Sequence, residues 1–179
     1  MDRSLWLPAL FAVLIHGAGH YLAARLCGLR PRRVRLTATG LRLVSEGGYP
    51  SYLAEALVAL GGPLANLLSA LLALLTGVGA GTFCALSVYL ALLNLLPLHG
   101  FDGASALRCL LCAALAPLPS LSPRAADRVL SVLSALLLFL LWLISVYLVL
   151  RRGGALSLYL FCLQLFRANA AKNGDERQC

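Results

Sequence analysis

Apolar residues run along this chain in long blocks separated by short polar steps. Several blocks have the length of a membrane helix, for which about 20 residues suffice. Leu5–Leu26 is the first, interrupted only by His16, His20 and Arg25. Tyr52–Thr76 is the second and carries Gly61-Gly62-Pro63 in its middle. That step weakens a helix in water, but in a membrane small residues permit close helix contact and neighbours re-satisfy freed backbone groups. Thr82–Leu96 is a shorter third block ended by Pro97, and Ala104–Leu118 a fourth, closed by Pro117, Pro119 and Pro123. Val129–Leu150 is the longest uninterrupted run, ending at Arg151-Arg152. Ala155–Phe166 has the length of an interfacial or partly inserted helix.

Between the first two blocks, Gly28–Tyr49 is polar and Arg-rich. Its Arg33–Val44 stretch alternates in part (Val34, Leu36, then Leu41, Leu43) around Thr39-Gly40, which predicts a short β-hairpin. The expected fold class is an all-α polytopic membrane protein with about five to six membrane helices and a short β-hairpin between the first two. The pattern predicts one membrane-embedded domain over residues 1–168, its core at 5–118, and a polar tail over 169–179.

Composition supports the membrane reading: 60% of the 179 residues are hydrophobic and 12% charged, where a soluble domain has about 25% charged residues. The formal charge is +8, from 14 arginines, one lysine and seven acids. Little polar surface exists to present that charge to a nucleic acid, so no nucleic-acid partner is expected. Basic residues flanking apolar spans act instead as topology determinants on the cytoplasmic side. Arg25, Arg30, Arg32, Arg33 and Arg35 therefore put the first loop in the cytoplasm, and alternation then places Asp102 towards that face. Arg124 and Arg128 fall outside, against the rule. The first block continues past His16 rather than ending in a small-residue cleavage site, so it reads as a helix and not a signal peptide. Cys109 and Cys112 form a C-x-x-C with no second pair, which reads as helix packing.

Ionisable groups inside membrane segments are costly and mark function by default. Here they are His16, His20, Asp102 and Arg108, with Asn66 and Asn94 as uncharged polar company. His16 and His20 stand at i and i+4, on one helix face, a spacing that lets two imidazoles share a metal. Asp102 is the sole carboxylate in the apolar region able to supply a third ligand, leaving a fourth position open, as at a catalytic zinc. The alternatives are a His pair that hydrogen-bonds across helices, and an Asp102 that caps the helix starting at Gly103.

Taken together, His16-Gly17-Ala18-Gly19-His20, Gly62-Pro63-Leu64-Ala65-Asn66, Asn94-Leu95-Leu96-Pro97 and Phe101-Asp102-Gly103 resemble the site-2 protease family of intramembrane zinc metalloproteases. The likeness is to the bacterial branch containing stage IV sporulation protein FB, with its H-E-x-x-H, G-P-x-x-N and N-L-L-P steps, and covers roughly residues 5–118. The resemblance implies zinc as cofactor, held by His16, His20 and Asp102, with Asn66 and Asn94 as substrate-positioning or backbone-bonding groups. It implies a membrane-protein substrate cut near the cytoplasmic face, a bacterial plasma membrane, and a regulatory membrane partner.

One departure bears on activity. Gly17 occupies the position of the family's general-base glutamate, a role worth about 10²–10⁴-fold. Glu46 or Glu55 would replace it only if a loop folded over the site. A pseudoprotease that binds membrane helices without cutting them is therefore the alternative function. A small transporter, with His16, His20, Asp102 and Arg108 as a polar path, accounts for the charges but not for the motifs.

Overall fold

The structure is a computed structural model and describes residues 5–29, 31–37, 40–45, 49–77, 81–116, 123–152, 160 and 162–164. Five helices dominate it: α1 (Trp6–Leu26), α2 (Tyr52–Thr76), α3 (Thr82–Leu95), α4 (Asp102–Leu115) and α5 (Pro123–Arg152). Between α1 and α2 run two strands, β1 (Pro31–Thr37) and β2 (Gly40–Ser45), paired antiparallel with Arg35 opposite Arg42 and Thr37 opposite Gly40. The ribbon lies against α1.

Local chemistry sets the helix ends. Ser51 precedes α2 in extended conformation, and its hydroxyl accepts from the Ala54 N–H at 3.1 Å, an N-cap. Gly77 closes α2 with a φ of 70°, the left-handed C-cap that glycine adopts without strain. Leu96 stops α3 with a ψ of 133°, as the residue before a proline is pushed out of the helical region. Pro123 opens α5 at the first helical position, where its missing N–H costs nothing.

The expectation of five to six membrane helices is corrected. Among the described residues three helices have the length and composition to cross a bilayer: Trp6–Leu26, Tyr52–Thr76 and Arg124–Arg151. α3 and α4 have 14 residues each, about 21 Å at 1.5 Å per residue, against a hydrocarbon core of about 30 Å. Pro97 and the turn at Gly100 end the first of these two apolar blocks early. The Ala155–Phe166 and 169–179 expectations fall mostly or wholly outside the described residues.

α2 is the central element, packed by α1, α3 and α4, while α5 packs on α4. Its interior is built of small residues: Ala54, Ala56, Ala59, Ala70 and Ala73 are buried. Leucines face outward instead, with Leu26 and Leu150 80% exposed and Leu75 74% exposed. This inverts the soluble pattern, and lipid explains it: tails solvate leucine as well as a core does, so helix contact relies on close backbone approach. α1 and α2 cross where Gly19 meets Gly61. A Cβ on Gly19 would collide with the Gly61 carbonyl oxygen and stand 2.5 Å from the Ala65 Cβ. With Ala23 and Ala65 one turn on, the crossing is a small-x-x-x-small contact on both helices. Pro63 lies inside α2, which continues through it to Thr76.

The turn from α3 to α4 is fixed from two sides. Gly103 presses on the Leu95 carbonyl so closely that a side chain there would clash. From the other side, Leu98 and Phe101 pack with Leu138 of α5. The Ser134 hydroxyl donates to the Pro97 carbonyl at 2.8 Å and accepts from His99 Nδ1 at 2.9 Å. Farther along, Arg108 pairs with Asp127 at 2.6 Å. These contacts anchor the first residue of α4, Asp102.

Candidate metal centre

α1 places His16 and His20 one turn apart, and the α3–α4 turn delivers Asp102 to them. Asp102 Oδ2 lies 3.0 Å from His16 Nε2 and 3.2 Å from His20 Nε2, and the two Nε2 atoms are 3.1 Å apart. The rings meet edge to face, with centroids 4.7 Å apart. Three ligand atoms thus form a nearly equilateral triangle, the one such group of His, Cys, Asp or Glu among the described residues. Zinc bonds of about 2.0–2.1 Å in a tetrahedron put ligand atoms about 3.3 Å apart, which fits this triangle.

The protonation pattern fits as well. His20 Nδ1 is 2.7 Å from the Val58 carbonyl oxygen, so this nitrogen carries the proton and donates. In its neutral form this tautomer faces the triangle with a bare Nε2, as a metal-bound histidine does when its other N–H is held by a carbonyl. Space is kept by Gly62, four residues beyond Val58 on the same face of α2. A Cβ there would run into His20 Nε2 and stand 2.8 Å from His16 Nε2. The site is not sealed, since the Asp102 side chain keeps 23% of its surface exposed.

Asn66 joins the cluster from the next turn of α2. It is fully buried, with its amide nitrogen 3.4 Å from His16 Nδ1 and its Oδ1 without a partner. Asn94 does not join: its amide donates to the Leu90 carbonyl of its own helix at 2.9 Å. Gly17 is half-buried on α1, directly after His16. Asp102 is the first residue of α4 rather than its cap; Phe101 takes the cap position. Glu55 is no member of the triangle. Glu46 lies outside the described residues. His99 binds Ser134 on α5, and Cys109 and Cys112 are buried, free thiols.

Two contributors escaped the sequence reading: the Val58 carbonyl and the space at Gly62. The spacing 58, 62, 66 is a run of i, i+4 and i+8, and that stripe was the available signal.

Among solved structures, the site-2 protease from Methanocaldococcus jannaschii is similar over 93% of this chain and 76% of its own, with a TM-score of 0.64 at 19% sequence identity. The fold is that of a site-2 protease. No family profile matches the chain, and no curated protein matches it in sequence. With its three membrane-length helices, the chain is a multi-pass membrane protein.

Proposed function

We propose that this chain is an intramembrane metalloprotease of the site-2 type that holds one zinc ion with His16, His20 and Asp102 and takes a membrane-embedded protein segment as substrate. The observation that carries the reading is the triangle of Nε2, Nε2 and Oδ2 atoms over Gly62. The four ordered sequence motifs and the fold likeness support it, and the motif wording supports the branch containing stage IV sporulation protein FB. Bound there, zinc supplies Lewis-acid chemistry that polarises a peptide carbonyl and activates water.

The chain's own residues do the rest. His20 is held in one tautomer by Val58, and Asp102 brings one negative charge that offsets half of a dication's charge. Asn94, which is outside the metal cluster, would position substrate in this reading, and a regulatory membrane partner would act on access to the site. The basic first loop supports a site facing the cytoplasm, and the motif likeness to the bacterial branch supports a bacterial plasma membrane. What the chain lacks is a carboxylate at Gly17 to take a proton from water and pass it to the leaving amine. Turnover is accordingly reduced by about 10²–10⁴-fold relative to a chain with glutamate there.

Gly17 also favours a second reading, a non-catalytic protein that binds membrane helices through the same fold. Zinc per chain in detergent-purified protein tests the first. The expected result is about one zinc by the ligand count, lost in His16→Ala. A wild-type value no higher than that of the variant overturns the metal site and leaves the second reading.

A further inference from the structure

We propose that Asn66 is a positioning residue for the metal centre: its amide oxygen, rather than its NH₂, accepts from His16 Nδ1–H and so holds His16 with a bare Nε2 facing His20 and Asp102. The inference rests on the zinc reading above and adds to it the origin of the second ligand's tautomer.

Two observations meet at this residue. Asn66 is fully buried in α2, yet its Oδ1 has no hydrogen-bond partner, and a buried polar atom left unpaired costs about 1–3 kcal/mol. At the same time its nitrogen sits 3.4 Å from His16 Nδ1. With the NH₂ on that side, Nδ1 must accept, which leaves the proton on Nε2, pointing into the triangle. A protonated Nε2 cannot bind a metal. It would donate to Asp102, and the cluster would be a simple hydrogen-bonded pair.

The two ends of an amide have the same shape, so a half-turn about the terminal side-chain bond exchanges them without a steric cost. That turn brings the orphaned oxygen to Nδ1 and moves the proton there. His16 then matches His20, whose Nδ1–H is already held by the Val58 carbonyl at 2.7 Å. One stripe of α2 thereby supplies everything behind the two histidines: the carbonyl of Val58, the open space of Gly62 and the amide of Asn66, each four residues apart. Partners of this kind alter metal affinity by about 10–100-fold when removed.

The test uses the full chain in detergent. Zinc affinity is read by chelator competition for wild type, Asn66→Leu and Asn66→Asp, with stoichiometry measured beside it. Leucine keeps the shape and removes the acceptor, whereas aspartate keeps an acceptor oxygen. Asn66→Leu is expected to weaken zinc by about 10–100-fold while still saturating at the wild-type stoichiometry, and Asn66→Asp to restore affinity to near wild type. Nitrogen-15 NMR of histidine-labelled, zinc-loaded wild type is expected to show His16 carrying its proton on Nδ1, held in a hydrogen bond that Asn66→Leu removes. Unchanged affinity in Asn66→Leu overturns the proposal, as does a His16 proton on Nε2. A wild type that binds no zinc overturns the zinc reading instead, whereas zinc that binds wild type and Asn66→Leu equally tightly overturns only the role of Asn66. If Asn66→Leu does not fold, the aspartate variant and the wild-type tautomer carry the decision.

Discussion

Gly62 lies directly beneath His20, so close that its missing side chain is what leaves room for the imidazole Nε2. His16 Nε2 stands over the same point, 2.8 Å from where a Cβ would be. In the G-P-x-x-N step the glycine therefore makes room for the two imidazoles, beyond any part in the helix itself.

Gly62→Ala should accordingly weaken zinc binding by at least about tenfold, in the range seen when groups behind a ligand are altered. Helical content should be unchanged, because alanine favours a helix over glycine. Chelator competition and far-ultraviolet circular dichroism check both halves. Unaltered affinity would show that the two rings yield to a methyl group and that Gly62 does not shape the site.

The crossing of α1 over α2 predicts a different effect. A Cβ on Gly61 would stand 2.7 Å from both the Ala23 Cβ and the Gly19 carbonyl oxygen. Gly61→Val must push the helices apart, at a cost of about 1–3 kcal/mol for overpacking. Thermal unfolding in detergent should show a lowered midpoint. Leu150→Val, at a position 80% exposed, should show none, and equal shifts in both would mean that the crossing is not where stability resides.

Much of this was legible in the sequence, for reasons that particular residues make plain. His16 and His20 were readable as a pair because helical periodicity alone puts i and i+4 on one face. Asp102 was readable because a carboxylate in an apolar stretch demands a partner. The number of membrane spans was legible only in part, since Thr82–Leu96 and Ala104–Leu118 read as short apolar blocks and their helices have 14 residues each, below the length of a span. Asn94 shows a different kind of dependence. It stands in a recognisable motif, but its amide caps a carbonyl one turn back, a choice that depends on a rotamer rather than on spacing. Val58 contributes through its backbone oxygen, which no side-chain pattern reveals.

Ser134 tests how firmly α5 holds the turn that carries Asp102. Its hydroxyl is fully buried and bonds both the Pro97 carbonyl and His99 Nδ1. Ser134→Ala removes both bonds at once, and stripping a buried group of its partner costs about 1–3 kcal/mol. The thermal midpoint should fall, and zinc affinity should fall with it, because Asp102 lies just beyond the loosened turn. A lower midpoint with unchanged affinity would mean that α4 holds Asp102 without help from α5.

Gly17→Glu addresses activity directly. The position follows His16 on the same turn of α1 and is half-buried. A carboxylate there would relay a proton between water and the leaving amine, so cleavage should rise by about 10²–10⁴-fold on a panel of single-span membrane proteins in detergent. Zinc stoichiometry should not change, since no ligand is touched. Adding His20→Ala to the same chain should abolish the gain, which separates cutting at this site from a contaminating protease. If Gly17→Glu binds zinc and cuts nothing in the panel while a related active protease cuts it, the missing carboxylate is not what silences the chain. Helix binding without hydrolysis then becomes the function that the fold performs.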